Sequence, residues 1–171
     1  LEDHPDALVV VVGGVYHDEF LTLAEELGVR DSVLAVGARP QDEIPDILAA
    51  AALEVHELEG QGFGTASLEA LAAGVPVVAG VRSDNFIEVP IRDGVELFLV
   101  APRGEKDERA DIDSLASVVS RVLDDPAAAR ARVSSSARTL IDSHFTIDAV
   151  ADAHLDVLAT MHEEAGERQS A

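Results

Sequence analysis

Apolar residues fall along this chain in two alternating arrangements, unbroken runs and helical spacing, and the alternation predicts strands and helices taken in turn. Residues 7–12, ALVVVV, are a continuous apolar run closed by Gly13 and Gly14, the pattern of a parallel strand covered on both faces. Phe20, Leu23, Ala24 and Leu27 then recur at helical spacing as far as Gly28, which predicts a helix over 16–27. A second strand is expected at 32–36, a short apolar helix at 44–52 and a third strand at 53–56. Past a glycine-rich loop, Thr65 opens a run of good helix formers that Gly74 and Pro76 end, and 76–79 is the next strand. Residues 81–90 are expected as a loop, 96–100 as a short strand and 102–110 as a charged, exposed loop. From Asp111 the spacing is helical. Ile112, Leu115, Val118, Val119, Val122 and Leu123 make one stripe, Asp124, Asp125 and Pro126 break it, and a second helix runs towards Ile141. A last helix is expected over 145–161, with a polar, fraying tail after Met161.

Strands that are pure apolar runs, each followed by a helix, predict an α/β fold built on a doubly wound parallel sheet. In such folds a ligand lies beyond the carboxyl ends of the strands, where Gly13, Gly37 and Gly64 all fall. No internal repeat is visible.

The stretch 58–80, LEGQGFGTASLEALAAGVPVVAG, carries the candidate chemistry. Gly60, Gly62 and Gly64 let the backbone come close to a ligand. The helix behind them offers free N–H groups from Thr65, Ala66 and Ser67 with the positive end of its dipole, which is an anion site. Glu69, one turn on, would weaken a bare phosphate but is able to accept hydrogen bonds from a vicinal diol. A ligand with a phosphate near a ribose satisfies both. The physics also allows an ordinary strand-to-helix turn, since the loop lacks both the lysine of a P-loop and the G-x-G-x-x-G spacing.

Composition narrows the class. With 171 residues, 47% of them hydrophobic, the chain is sized for one domain with an ordinary core. It contains no cysteine, which excludes disulfides and thiolate metal sites. No apolar run approaches the roughly 20 residues of a membrane span, and no signal peptide opens the chain, so the expected location is the cytoplasm. Acidic residues number 33 against 12 basic, a net charge of −21, and Lys106 is the only lysine. Such a surface repels nucleic acid and anionic lipid. Scattered acid with so little lysine fits a halophilic protein of a high-salt cytoplasm, or an acidic mesophilic one.

The stretch also resembles the signature of the retaining nucleotide-sugar glycosyltransferases with two Rossmann-like domains (the GT-B architecture, glycosyltransferase family four, group 1). There the loop runs acidic residue, any residue, Phe-Gly, four variable positions, Glu-Ala-hydrophobic-Ala, any residue, Gly-x-Pro-Val-Val. Phe63, Gly64, Glu69, Ala70, Leu71, Ala72, Gly74, Pro76, Val77 and Val78 fill those slots. The resemblance implies transfer of a sugar from a nucleotide donor to an acceptor hydroxyl, with no cofactor beyond the donor itself. By position, the amides of Thr65 and Ala66 face the diphosphate and Glu69 accepts from the ribose. The backbone at Ala38 and Arg39 meets the base, Gly13 and Gly14 line the site, and Gly62, Phe63 and Gly64 shape the loop. Gln61 takes the catalytic slot beside the donor sugar, where relatives carry an acid, and Glu59 is the nearby alternative. The loop 81–90 departs from the family's Gly-Gly and Glu pattern.

The resemblance further implies a Rossmann-like nucleotide-sugar-binding domain over 1–145, a C-terminal helix over 146–162 that in relatives crosses back to the other domain, and a polar tail over 163–171. The family's first strand-helix unit, with its Arg and Lys pair, and its acceptor-binding domain are expected to precede Leu1. The isolated chain is therefore expected to be inactive, and any membrane contact to come through other parts. Two alternatives stay open: a related GT-B epimerase or phosphorylase domain, and a degenerate nucleotide-binding module. The six histidines show no metal spacing, and Ser67 sits in no G-x-S-x-G elbow.

Overall fold

A computed structural model describes residues 3–14, 17–56, 63–81, 89, 91–104 and 107–170 of the chain. Strand β1 (Val9–Val12) leads to helix α1 (His17–Glu26) and strand β2 (Val33–Gly37). A 3-10 turn (Gln41–Glu43), like the one before β2 (Arg30–Ser32), and α2 (Ile44–Ala50) carry the chain to β3 (Glu54–His56). Helix α3 (Thr65–Ala72), β4 (Val77–Ala79) and β5 (Phe98–Leu99) follow. Next come a hairpin of β6 (Pro102–Gly104) and β7 (Asp107–Ala110), and helices α4 (Ile112–Asp124), α5 (Pro126–His144) and α6 (Ile147–Ser170).

The strands form parallel ladders, β1 beside β2 and β3-β4-β5 in order, as the alternation of apolar runs and helices predicts. Strand β4 organises the core because both of its faces are covered. Val77 and Ala79 point into one cluster with Ala70, Leu71, Val75, Leu97, Ala137 and Leu140. Val78 points into the other, with Phe98, Val118, Val122, Ala129 and Val133. Helix α5 serves both clusters, through Ala129 and Val133 near its start and Ala137 and Leu140 near its end.

Arginines of α5 hold the surrounding loop ends. Arg130 donates to the carbonyl of Ala51, just past α2, and Arg138 to that of Ala73, just past α3, at 3.0 and 3.2 Å. Both are cations placed against a helix C-terminus, where the dipole favours them. Arg132 donates to the carbonyl of Gly94 at 2.7 Å. Gly74 is required where it stands: its φ is +69°, and a Cβ there would come within 2.8 Å of the Arg138 guanidinium. Helices α4 and α5 start on aspartate caps, Asp111 accepting from the Ser114 amide and Asp125 from that of Ala128.

Three sequence-based expectations change. Residues 102–110, expected as a loop, contain the antiparallel β6–β7 pair, since the backbone ladder forms without an apolar pattern to announce it. The last helix continues to Ser170 rather than fraying after Met161, because Glu, Arg and Gln are adequate helix formers. Strand β1, expected to be covered on both faces, leaves Val9 and Val10 each 44% exposed. Its only described ladder is with β2, so one edge has no described partner.

Candidate functional site

The glycines that end the strands meet. The Gly13 amide donates to the Gly37 carbonyl at 3.0 Å, joining the carboxyl ends of β1 and β2. Both residues have positive φ, +133° and +73°, which suits glycine. Open space lies where side chains at Gly13 and Gly14 would project. Ala38 and Arg39 follow directly, and the Arg39 guanidinium sits 3.8 Å from Glu43, one turn on, as an exposed pair of small energetic weight.

Helix α3 begins at Gly64, whose extended backbone serves as the N-cap without a side-chain cap, and no acid lies in the first turn. Its apolar side locks it down through Ser67, Ala70 and Leu71, each wholly buried, and the Ser67 hydroxyl points to Glu54 at 3.5 Å. Thr65 and Ala66 are exposed at the open end. The amides of this first turn have no partner within the helix, so they present donors and the positive dipole end outward. Phe63 anchors the approach, its ring edge-on to Phe145 at 6.1 Å. The ring therefore belongs to the packing.

Glu69 lies one turn into α3, half-buried, with its carboxylate at the surface rather than in the interior. One oxygen accepts from the Gln41 side-chain amide at 2.5 Å. That bond spans 28 residues and ties the turn after β2 to the helix after β3, so the two carboxyl edges adjoin. Gln41 is the site residue that sequence reasoning missed, and no local pattern announces it. Gln61 and Gly62 lie outside the described residues.

Two surface clefts occur elsewhere. One is bordered by Asp3, Ser120, Arg121 and Asp124, the other by Arg92, Glu96, Ser135, Ser136 and Thr139, and neither includes a residue of the carboxyl-edge group. In the second, Glu96 is buried and bonded to both the backbone and the guanidinium of Arg92. The bond to Glu96, then its charge, holds the Arg92 pKa above the ordinary arginine value. A raised arginine contributes fully at every pH below its ordinary value, so this end of the pair adds no pH dependence in the physiological range. Among the described residues, no group of three histidine, aspartate or glutamate side chains is placed to hold a metal ion. No helix there is long and apolar enough to cross a membrane.

Parallel ladders with glycine turns and an uncapped helix mouth at the carboxyl edge define a Rossmann-like α/β domain. The chain belongs to the family described as glycosyl transferases group 1, whose sequence profile matches residues 1–140. It is 30% identical over 152 residues to the D-inositol 3-phosphate glycosyltransferase of Mycolicibacterium smegmatis, covering 85% of this chain and 33% of that protein. The GDP-mannose-dependent alpha-(1-6)-phosphatidylinositol monomannoside mannosyltransferase of the same organism is 34% identical over 135 residues, 74% of this chain and 33% of its own length. The chain thus spans about a third of these relatives. Among solved structures, Anabaena HepE in complex with UDP superposes with a TM-score of 0.70 at 24% identity, covering 91% of this chain and 42% of that one. That likeness is one of fold.

Proposed function

We propose that the chain is the donor-binding domain of a glycosyltransferase that moves a sugar from a nucleotide-sugar donor to an acceptor hydroxyl with retention of configuration. One observation carries the reading: exposed first-turn amides of α3 and a half-buried Glu69 one turn behind them, beside the turn that follows β2. The amides of Thr65 and Ala66 receive the diphosphate, Glu69 accepts from the ribose hydroxyls, and the backbone of Ala38 and Arg39 meets the base. Gly13 and Gly14 leave room for the donor, while Gly62, Phe63 and Gly64 shape the loop. Gln61 stands beside the donor sugar and hydrogen-bonds its hydroxyls. When the bond from the anomeric carbon to the diphosphate oxygen breaks, negative charge grows on that oxygen, and N–H donors with a helix dipole stabilise it. The donor is the only small molecule the reaction takes besides the acceptor, and the acceptor-binding part belongs to polypeptide beyond residues 1–171. Names of relatives that refer to GDP-mannose, and a structural neighbour in complex with UDP, support a nucleoside diphosphate leaving group.

The full polypeptide carrying residues 1–171, given UDP-, GDP- and ADP-sugars with an alcohol acceptor, is expected to release the nucleoside diphosphate in step with glycoside formation. The isolated 171-residue chain is expected to release none. Donor that is epimerised or hydrolysed by the full polypeptide, with no glycoside formed, would count against transfer.

The proposed setting is a cytoplasm of high ionic strength, supported by 33 acidic against 12 basic residues. At ~0.1 M salt the screening length is ~10 Å and like charges on the surface repel, whereas at ~1 M it is ~3 Å. The unfolding temperature is expected to rise by several degrees between these salt concentrations, and a flat or falling profile would remove the high-salt reading.

A further inference from the structure

We propose that Gln41 is a positioning residue: it fixes the Glu69 carboxylate in the attitude needed to receive the pentose of the donor. The inference rests on the reading of the site just given.

Gln41 opens the 3-10 turn two residues after Arg39, and its Nε2 donates to Glu69 Oε1 at 2.5 Å. A carboxylate offers two oxygens and about four acceptor directions, so one amide donor leaves the second oxygen and part of the first for a diol. The donor's chemistry matters. An arginine or lysine at this place would neutralise the carboxylate, whereas a primary amide orients it and leaves its charge intact. Arg39, the cation closest in sequence, is turned to Glu43 instead.

A glutamate on a half-buried helix face has several rotamers open to it, and holding one of them costs conformational entropy. With Gln41 in place that cost is met before the ligand arrives, which is preorganisation. In this role Gln41 acts only through Glu69.

Calorimetry on the full polypeptide, with a nucleoside diphosphate, its 2′,3′-dideoxy counterpart and inorganic pyrophosphate, tests this. Gln41→Ala is expected to weaken the ribonucleotide about tenfold and to leave the dideoxy compound and pyrophosphate within about twofold. Gln41→Asn, too short to reach, should behave as Gln41→Ala does. In a Glu69→Ala background the second substitution should have no further effect. Equal loss for ribose and dideoxy ligands, or no loss, overturns the proposal.

A readout without ligand separates the two layers. The side-chain amide signals of Gln41 in the free protein should move in Glu69→Gln. Signals that stay still while nucleotide binds overturn the positioning role alone. Signals that move while the parent protein binds no nucleotide overturn the site reading, and the role of Gln41 with it.

Discussion

Glu69→Ala is expected to weaken nucleoside diphosphate binding by about 100-fold while leaving inorganic pyrophosphate unchanged or slightly tighter. The size follows from what the carboxylate supplies. Two hydroxyl donors of a ribose meeting a charged acceptor contribute ~1.5–3 kcal/mol each, part of which water recovers in the variant, and ~2.7 kcal/mol is two orders of magnitude in affinity. The opposite sign for pyrophosphate follows from charge, because removing a carboxylate near an anion relieves repulsion. Glu69→Gln should fall between the two, since an amide oxygen still accepts but without charge assistance. The carboxylate is half-buried at the surface and is not part of the core, so the variants are expected to fold as the parent does. Calorimetry with both ligands decides the matter: a parallel loss for pyrophosphate and nucleotide would mean that Glu69 acts on the fold of α3 and not on a ribose.

Leu71→Ala is expected to lower stability by ~3 kcal/mol and the unfolding temperature by about 6–12 °C. Leu71 is wholly buried in the cluster that includes Val77, Leu97, Ala137 and Leu140. Its removal forfeits the transfer energy of the lost carbons and leaves a cavity that the neighbours on β4 and α5 fill only in part. That loss is a large share of the ~5–15 kcal/mol typical of a domain. Because Leu71 seats α3 on α5, the loss also reaches the amides of Thr65 and Ala66 at the other end of the helix. The exposed neighbour Ala72 is the control: Ala72→Ser should stay within ~0.5 kcal/mol. Equal unfolding temperatures for Leu71→Ala and the parent would contradict the packing described for α3.

Much of this was legible in the chain itself, for physical reasons that particular residues make plain. Val77, Val78 and Ala79 lie in an apolar run bounded by Pro76 and Gly80, and a run of that kind has few fates other than a strand covered on both sides. Thr65 to Ala72 are good helix formers stopped by Gly74, and the helix found is Thr65–Ala72. What stayed hidden depends on partners far along the chain. The β6–β7 hairpin is charged, and its strands exist because they bond each other. Exposure of Val9 and Val10 depends on what covers the faces of β1, which VVVV alone does not state. Gln41 and Glu69 are 28 residues apart with nothing local to link them, and only the folding of β3 and α3 brings them together. The capping arginines of α5 are hidden in the same way, since Arg138 finds the Ala73 carbonyl 65 residues away.

In the proposed site the first turn of α3 grips a diphosphate while the acid behind it holds a pentose. Titrating a nucleoside diphosphate into the isotope-labelled full polypeptide, and following the backbone amides, tests this. The expected result is a set of saturable shifts, largest at Thr65 and Ala66 and extending to Ala38, Arg39 and the Gln41 side chain. Saturable binding whose shifts centre elsewhere, with Thr65 and Ala66 unmoved, would contradict it.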